Sequence, residues 1–268
     1  MPDVTFSRTG PDDAVAVVTL DRPERLNAYT LDTLKELEPI WDDVRDDAGI
    51  RVAVLAGAGD RAFSTGHDVN WVNSLDPEEE ALRPEYYGPE PVRYLHGYGA
   101  YGFDIRKPLI AAIGGYCVGG GLAMACRCDL RICSQGSRFG VPQVKLGVIS
   151  PQACVFLPRI VGLGTAMEMI LTGDLYDADF ALRVGLVNRV VGEGQELDEA
   201  LRLAESLCQI APLALQASKQ VVLAGLQSPI ETALDLGHRT FAWLRGTADG
   251  REGPLAFAEK REPRWRGR

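Results

Sequence analysis

The stretch KPLIAAIGGYCVGGGLAMACRCDLRICS, residues 107–134, decides the fold. Its apolar run Leu109–Ile113 predicts a buried strand, residues 122–128 predict a helix, and residues 130–133 predict the next strand. Five glycines between residues 114 and 121 let the backbone turn tightly and let a ligand approach closely. The chain therefore passes from a strand through a glycine-rich turn into a helix whose first amides have no partner within that helix.

A turn of this kind predicts an anion site. The anion could be a phosphate, or an oxygen on which negative charge develops during a reaction. The chain has no GxxxxGK[ST] motif, and Gly119, Gly120 and Gly121 do not follow the GxGxxG spacing. A nucleotide P-loop is thus excluded, and the pattern favours an oxyanion.

Composition and charge narrow the class of protein. The 268 residues are 46% hydrophobic and 24% charged, which is typical of a globular chain. A net charge of -9 argues against nucleic acid or an anionic membrane as partner. No apolar stretch of about 18 residues and no signal-peptide pattern is present, so we expect a cytoplasmic protein.

The six cysteines are interpreted as reduced, buried, small hydrophobic side chains. Cys126 and Cys128 are separated by one residue and have no histidine cluster near them, so we expect no metal site.

The first half of the chain alternates strands and helices. Residues 4–7 and 15–20 predict a hairpin, residues 31–44 a helix that Pro39 should kink, and residues 52–56 a strand. A second glycine loop, FSTGHDV, follows at residues 63–69. Repeated units of this kind predict a mostly parallel or spiral α/β arrangement, in which loops after successive strands face one crevice.

Two further regions differ in character. Residues 71–103 hold four prolines and five tyrosines, and they predict either a pocket wall or lid, or an irregular surface segment. The chain beyond residue 194 predicts mostly helices, at 197–210, 213–227, 229–245 and 253–261. We therefore predict an α/β core over 1–195 and a helical region over 196–268.

Six segments together resemble the enoyl-CoA hydratase/isomerase (crotonase) family over nearly the whole chain. They are LDRPERLNA from residue 20, AFSTGHDV from 62, KPLIAAIGGYCVGGGLAMACRCDLRI from 107, RFGVPQVKLGVI from 138, ILTGDLYDADFALRVGLVNRVV from 170, and FAEKREPRW from 257. The resemblance implies a spiral of β-β-α units with a C-terminal helical region used to build a homotrimer, or a hexamer of two trimers.

The resemblance also implies a chemistry. The substrate would be an acyl group carried as a coenzyme A thioester, with no permanently bound cofactor. Its carbonyl oxygen would accept hydrogen bonds from the backbone amides of His67 and Gly120, which stabilise an enolate-like anion.

The resemblance also implies which residues contact coenzyme A. Two of them, Phe257 and Lys260, are three residues apart and are expected on one face of a helix. The positions are Arg25, Leu26, Ala28, Ser64, Gly66, Asp68, Val69, Phe257 and Lys260.

Two positions depart from the family's pattern. A hydratase of this family uses two glutamates, in GGGxE and FGxPE, and here those positions are Ala123 and Gln143. Neither side chain can transfer a proton at neutral pH. Ordinary enoyl-CoA hydration is therefore not expected.

Three interpretations remain open. The chain could decarboxylate a malonyl-type thioester, which needs only enolate stabilisation. Another group could move the proton, and the candidates are the His67 side chain, Ser150, His96, a tyrosine within 86–101, or a water held by Gln143. Alternatively, the chain could bind acyl-CoA without transforming it.

Overall fold

The computed structural model describes residues 2–74 and 105–268. Strands and helices alternate up to residue 191, and the chain from residue 196 onward is helical. The described strands are β1 (Val4–Thr9), β2 (Val15–Leu20), β3 (Val52–Gly57), β4 (Ala62–Ser64), β5 (Leu109–Ile113), β6 (Tyr116–Val118), β7 (Leu130–Ser134), β8 (Arg138–Gly140), β9 (Leu175–Asp177) and β10 (Arg189–Val191). The described helices are α1 (Leu31–Asp46), α2 (Val69–Ser74), α3 (Gly120–Arg127), α4 (Pro151–Val161), α5 (Leu163–Thr172), α6 (Ala178–Arg183), α7 (Glu196–Cys208), α8 (Pro212–Gly225), α9 (Ile230–Gly246) and α10 (Ala248–Glu259).

The strands form two sheets that the chain visits in turn. The six-stranded sheet has the order β1-β2-β3-β5-β7-β10, and the four-stranded sheet has the order β4-β6-β8-β9. β3, β5 and β7 join the large sheet in parallel, while the strand after each of them, β4, β6 or β8, joins the small sheet. Each repeat thus adds one strand to both sheets, which is the spiral that the sequence predicts.

Both faces of the large sheet are covered. Its central strand β5 is buried at all five positions, which explains why Leu109–Ile113 is continuously apolar rather than alternating. Side chains from α1 and α3 pack against one face, and Ala200, Ala204 and Cys208 of α7 pack against the other. The helical region therefore begins where the sequence predicts, but its first helix covers the α/β sheet. The division into two domains stays a prediction.

Most of the predicted elements are confirmed, with changes at their ends. β1 and β2 form the predicted antiparallel hairpin. Helix α1 continues through Pro39, and α10 begins at Ala248 instead of residue 253. No helix within the described ranges is long and apolar enough to cross a bilayer.

Burial confirms the interpretation for five of the six cysteines, whereas Cys154 is only half-buried. Cys117, Cys126, Cys128, Cys133 and Cys208 are buried. Desolvation raises the pKa of Cys126 to about 11 and that of Cys128 to about 12, so both remain thiols at neutral pH.

One buried polar side chain joins the loops that precede the site. Asn27 is 1% exposed and has a left-handed backbone, with φ of 51°. Its Nδ2 donates to the carbonyl oxygens of Ala58 at 2.9 Å and Ala62 at 2.7 Å, and its Oδ1 accepts from the Arg22 amide at 3.0 Å. Asn27 thereby ties the loop after β2 to the segment between β3 and β4.

Replacing this amide by a carboxylate should destabilise the fold. In Asn27→Asp, the buried carbonyl oxygens of Ala58 and Ala62 lose their donor and face a negative charge, which should cost about 3 kcal/mol of unfolding free energy. Asn70→Asp, on an exposed position of α2, is the matched control and should change stability by less than about 0.5 kcal/mol. Urea unfolding at pH 7 measures both, and equal midpoints for the two variants would contradict the role given to Asn27.

Candidate active site

The first site loop runs from β4 into α2 and is held by hydrogen bonds on both sides of His67. The Tyr29 amide donates to the Gly66 carbonyl at 2.8 Å, and the Asp68 amide donates to the Tyr29 carbonyl at 2.9 Å. Ser64 Oγ fixes the turn by accepting from the Gly66 amide at 3.1 Å. Because the residues before and after His67 bond to Tyr29 as in a parallel ladder, the His67 amide points to the other side.

The second site loop is the glycine-rich turn between β6 and α3. Gly119 has φ of 57° and donates its amide to the Gly140 carbonyl at 2.9 Å. Gly120 is the first residue of α3, so its amide has no acceptor within the helix and lies at the positive end of the helix dipole. The turn and the helix start agree with the prediction, except that the helix begins at Gly120 and not at residue 122.

The two loops touch at the backbones of Gly66 and Gly120. A Cβ added to Gly66 would lie 2.6 Å from the Gly120 nitrogen, and one added to Gly120 would lie 3.2 Å from the Gly66 Cα. Gly66 also has φ of 87°, a conformation that glycine adopts without strain. The structure therefore places the amides of residues 67 and 120 in adjoining loops, within one peptide unit of the contact.

The His67 side chain is stacked among rings. Its centroid is 4.6 Å from that of Tyr29 and 6.5 Å from that of Trp71, and it lies nearly parallel to the Trp71 ring. Burial lowers the pKa of the imidazole to about 4. The ring is thus neutral at pH 7, and it adds no positive charge to the site.

The two positions that depart from the family's pattern lie beside the glycine turn. Ala123 is buried on α3, one turn after Gly119. The Gln143 amide packs on Gly119, because a Cβ there would lie 2.8 Å from Gln143 Nε2. Gln143 Oε1 is buried with no hydrogen-bond partner in the described part of the chain. The site therefore presents a neutral amide and a methyl group at these positions.

Of the remaining proton-transfer candidates, the described residues include Ser150. Ser150 is 5% exposed and precedes α4, where its side chain makes no capping hydrogen bond. His96 and the tyrosines within 86–101 lie outside the described residues, as does most of the proposed wall or lid over residues 71–103.

The coenzyme A contacts predicted in the first half of the chain cluster around the first site loop. Ser64 and Asp68 are buried, and both have structural partners. Ser64 Oγ donates to the Asn27 carbonyl at 2.8 Å, and Asp68 pairs with Arg22 at 3.2 Å while accepting from the first amides of α2. Arg25 and Val69 are exposed, Leu26 is half-buried with a left-handed backbone, and Ala28 is buried. A ligand here would meet Arg25, Val69 and main-chain atoms.

The C-terminal pair differs from its prediction. Phe257 lies on α10 with 87% of its surface exposed. Helix α10 ends at Glu259, and Lys260 is a left-handed cap with φ of 53°. The two side chains therefore do not share a helical face. The i,i+3 argument was wrong because the helix ends one residue too early, and the contact itself stays a prediction.

Sequence reasoning missed Tyr29 and Asn27 as parts of this site. Both follow the segment PERL and give no catalytic signal of their own, because their role depends on loops far away in sequence. The only available hint was a polar asparagine and a tyrosine next to apolar neighbours in RLNAYT.

Comparisons with known proteins show the family to which the chain is similar. The family profile described as enoyl-CoA hydratase/isomerase matches residues 10–268. The (E)-benzylidenesuccinyl-CoA hydratase of Thauera aromatica is 41% identical over 94% of this chain and 96% of that protein. A carnitinyl-CoA dehydratase of Escherichia coli K12 is 36% identical over 95% of this chain and 96% of that protein.

Solved structures confirm the predicted fold class. An enoyl-CoA hydratase from Mycobacterium tuberculosis H37Rv superposes with a TM-score of 0.88 and 30% identity, covering 100% of both chains. One from Bacillus anthracis also gives 0.88, with 28% identity, over 99% of this chain and 100% of that one. The fold is the crotonase fold, with its helical C-terminal region.

The partly buried imidazole should make stability depend on pH, because desolvation lowers its pKa. The pKa of His67 is about 4 in the folded chain, against an ordinary value of about 6.5 in the unfolded one. Between these values only the unfolded chain binds the proton, so stability falls as pH falls, by at most about 1.4 kcal/mol per pH unit.

His67→Gln removes this dependence while keeping the backbone amide. Between pH 7.5 and pH 5.0, the wild type should therefore lose more unfolding free energy than His67→Gln. Urea unfolding at the two pH values measures this loss. The exposed His238→Gln is the control and should behave like the wild type. An equal loss in wild type and His67→Gln would contradict the burial given to this ring.

Proposed function

Because the chain belongs to the enoyl-CoA hydratase/isomerase family, we propose that it transforms an acyl-CoA thioester by stabilising an enolate-like anion between the amides of His67 and Gly120. The observation that carries this proposal is the contact of Gly66 with the Gly120 amide, which brings the two loops together. The His67 amide points away from the bridge with Tyr29, and the Gly120 amide lies at the start of α3. Among the described residues, no hydrogen bond between backbone groups uses either amide as a donor.

Two such donors suit a thioester oxygen that gains charge. In a buried site, fixed amides stabilise the charged state more than the neutral one, and losing one donor typically costs a factor of about 100 to 1000 in rate. The start of α3 adds its dipole at Gly120. This machinery uses no side chain, so it remains complete in a chain that lacks the family's glutamates.

The proposed reaction is not hydration by two carboxylates. The similar proteins named hydratase and dehydratase support lyase chemistry on a thioester. In this chain, however, a methyl group and an amide occupy the two acid–base positions, and His67 is neutral. A water held by Gln143 is the proton carrier that we favour, because the buried Gln143 Oε1 accepts no hydrogen bond from the described residues. Ser150 is the second candidate, as a buried hydroxyl at the start of α4.

A second candidate function is decarboxylation of a malonyl-type thioester. The bond between the α-carbon and the carboxylate breaks, carbon dioxide leaves, and the electron pair stays as the enolate that the two amides stabilise. Ala123 favours this reaction, because a buried methyl group, unlike a carboxylate, does not repel the substrate's negative charge.

Coenzyme A would bind along the first loop, with Arg25 and Val69 as side-chain contacts and Leu26, Ala28, Ser64, Gly66 and Asp68 offering the backbone. The adenine end would meet the exposed ring of Phe257, with Lys260 beside it. We also propose that copies of the chain assemble as a homotrimer or a pair of trimers. Support comes from large apolar side chains left exposed on several helices and at the end of α8, namely Leu163, Leu171, Val222, Leu226, Ile230, Phe241 and Trp243.

A thioester panel tests the reaction. Enoyl-, malonyl-, methylmalonyl- and hydroxyacyl-CoA are incubated with the protein and followed by mass spectrometry. Conversion of any of them supports an enolate-stabilising enzyme. A mass loss of about 44 Da, which corresponds to one carbon dioxide, identifies the decarboxylase. Tight binding with every thioester returned unchanged would contradict enzymatic function and leave a binding protein.

A pair of glycine variants tests the amides. In Gly120→Ala the added Cβ would lie 2.0 Å from the Tyr29 hydroxyl, so the turn must shift and conversion should fall about 100-fold or more. In Gly164→Ala, on α5, the Cβ meets nothing within 4 Å, so conversion should be unchanged. Circular dichroism confirms that both variants fold. Equal conversion by the two variants would remove the amides from the mechanism.

Restoring the glutamates tests the account of the departures. Gln143→Glu alone and together with Ala123→Glu should produce hydration of crotonyl-CoA, because the oxyanion donors are already in place. The hydration rate is read from the loss of the enoyl absorbance. A folded double variant that binds the thioester but does not hydrate it would show that the two carboxylates are not sufficient for hydration.

A further inference from the structure

The Tyr29 hydroxyl lies at the contact between the two site loops. The side chain is fully buried, and its ring centroid is 4.6 Å from that of His67. A Cβ built on Gly120 would lie 2.0 Å from the hydroxyl oxygen and 2.9 Å from Cζ. The phenol therefore points its oxygen at the residue whose amide is one of the two proposed donors.

The backbone fixes this direction. The amide and the carbonyl of Tyr29 bond to Gly66 and Asp68, at 2.8 Å and 2.9 Å, so the residue is locked beside His67 through main-chain bonds. Its ring packs within the apolar core that also holds Leu122 of α3. A side chain held at the backbone and along its ring has little freedom left to move its oxygen away from Gly120.

The chemistry at this point calls for a donor. Neither Ala123 nor Gln143 carries an acid, and burial keeps the His67 ring uncharged. Among side-chain hydroxyl groups the phenol is the most acidic, and it forms short hydrogen bonds to anionic oxygens. Phenylalanine would fill the same space in the core but has no hydroxyl to donate.

We propose that the Tyr29 hydroxyl is a third hydrogen-bond donor to the thioester oxygen, beside the amides of His67 and Gly120. This inference rests on the proposed function, because it needs the thioester oxygen at the loop contact. Tyr29 is then a catalytic residue, and its hydrogen bond strengthens as charge develops on the oxygen. Its loss should lower kcat about 10- to 1000-fold with little change in KM, because the bond is stronger to the anion than to the neutral carbonyl.

Infrared spectroscopy of a bound thioester tests this independently of the reaction. The probe is acetyl-CoA carrying ¹³C in its carbonyl, added to the full-length protein. Hydrogen bonds polarise the carbonyl and lower its stretching frequency, so the wild type should show a band below that of free acetyl-CoA. In Tyr29→Phe the band should lie between the wild-type frequency and that of free acetyl-CoA. In Tyr116→Phe, on an exposed site of β6, the band should stay at the wild-type frequency.

A second variant covers the case in which Tyr29→Phe does not fold. Replacing Tyr29 by 3-fluorotyrosine keeps the ring and makes the hydroxyl a stronger donor, so the band should move further down. A purely structural role would not move the band in this direction.

The outcomes separate the two proposals. A wild-type band equal to that of free acetyl-CoA, with acetyl-CoA bound, overturns the oxyanion site and this inference with it. A lowered wild-type band that stays unchanged in Tyr29→Phe and in the fluorotyrosine protein overturns the third donor and leaves the two amides standing. Opposite shifts in the two variants establish Tyr29 as a donor.

Discussion

The close approach of Gly66 to the Gly120 amide is the constraint on which the rest of the site depends. Any side chain at either position would occupy the contact, since the added Cβ atoms would lie 2.6 Å and 2.0 Å from their nearest atoms. The spiral makes this contact possible, because β4 and β6 are neighbours in the small sheet and both run directly into site loops. The two-sheet architecture is thus the reason that two glycine loops, far apart in sequence, meet.

The described side chains that touch this contact are neutral. The family's two acid–base positions hold a methyl group and an amide, and burial keeps the His67 imidazole unprotonated at pH 7. Charged side chains near the site are engaged in the framework, as in the pairing of Asp68 with Arg22. A site of this kind can stabilise a negative oxygen by dipoles and hydrogen bonds, and it must obtain protons from a hydroxyl, a water or the substrate itself. Fold and family alone do not choose among these sources.

The sequence was sufficient for features that depend on local pattern. The apolar run at Leu109–Ile113 and the glycines after it predicted the strand, the turn and the helix, because burial and backbone freedom are properties of those residues themselves. Pro39 was misleading, since the apolar face of α1, with Leu34, Leu37 and Trp41 buried, holds the helix together through the proline. The end of α10 was also missed, because nothing in FAEKRE marks Lys260 as a left-handed cap.

Features that depend on distant contacts could not be predicted from one sequence. An amphipathic pattern indicates that α7 buries one face, but not that the large sheet receives it. Tyr29 is the clearest case. Its importance comes from lying against Gly120 and His67, and those neighbours follow from the register of a single parallel bridge. Motif reasoning found the two amides because the family's spacing marks them, and it overlooked the Tyr29 side chain that lies against Gly120 and the His67 ring.

The most direct test of the central claim is a crystal structure of the protein with a bound acyl-CoA thioester. The account predicts that the thioester oxygen lies within about 3.1 Å of both the His67 and the Gly120 nitrogen. A thioester oxygen bound at any other place, or one reached by only one of these amides, would contradict it.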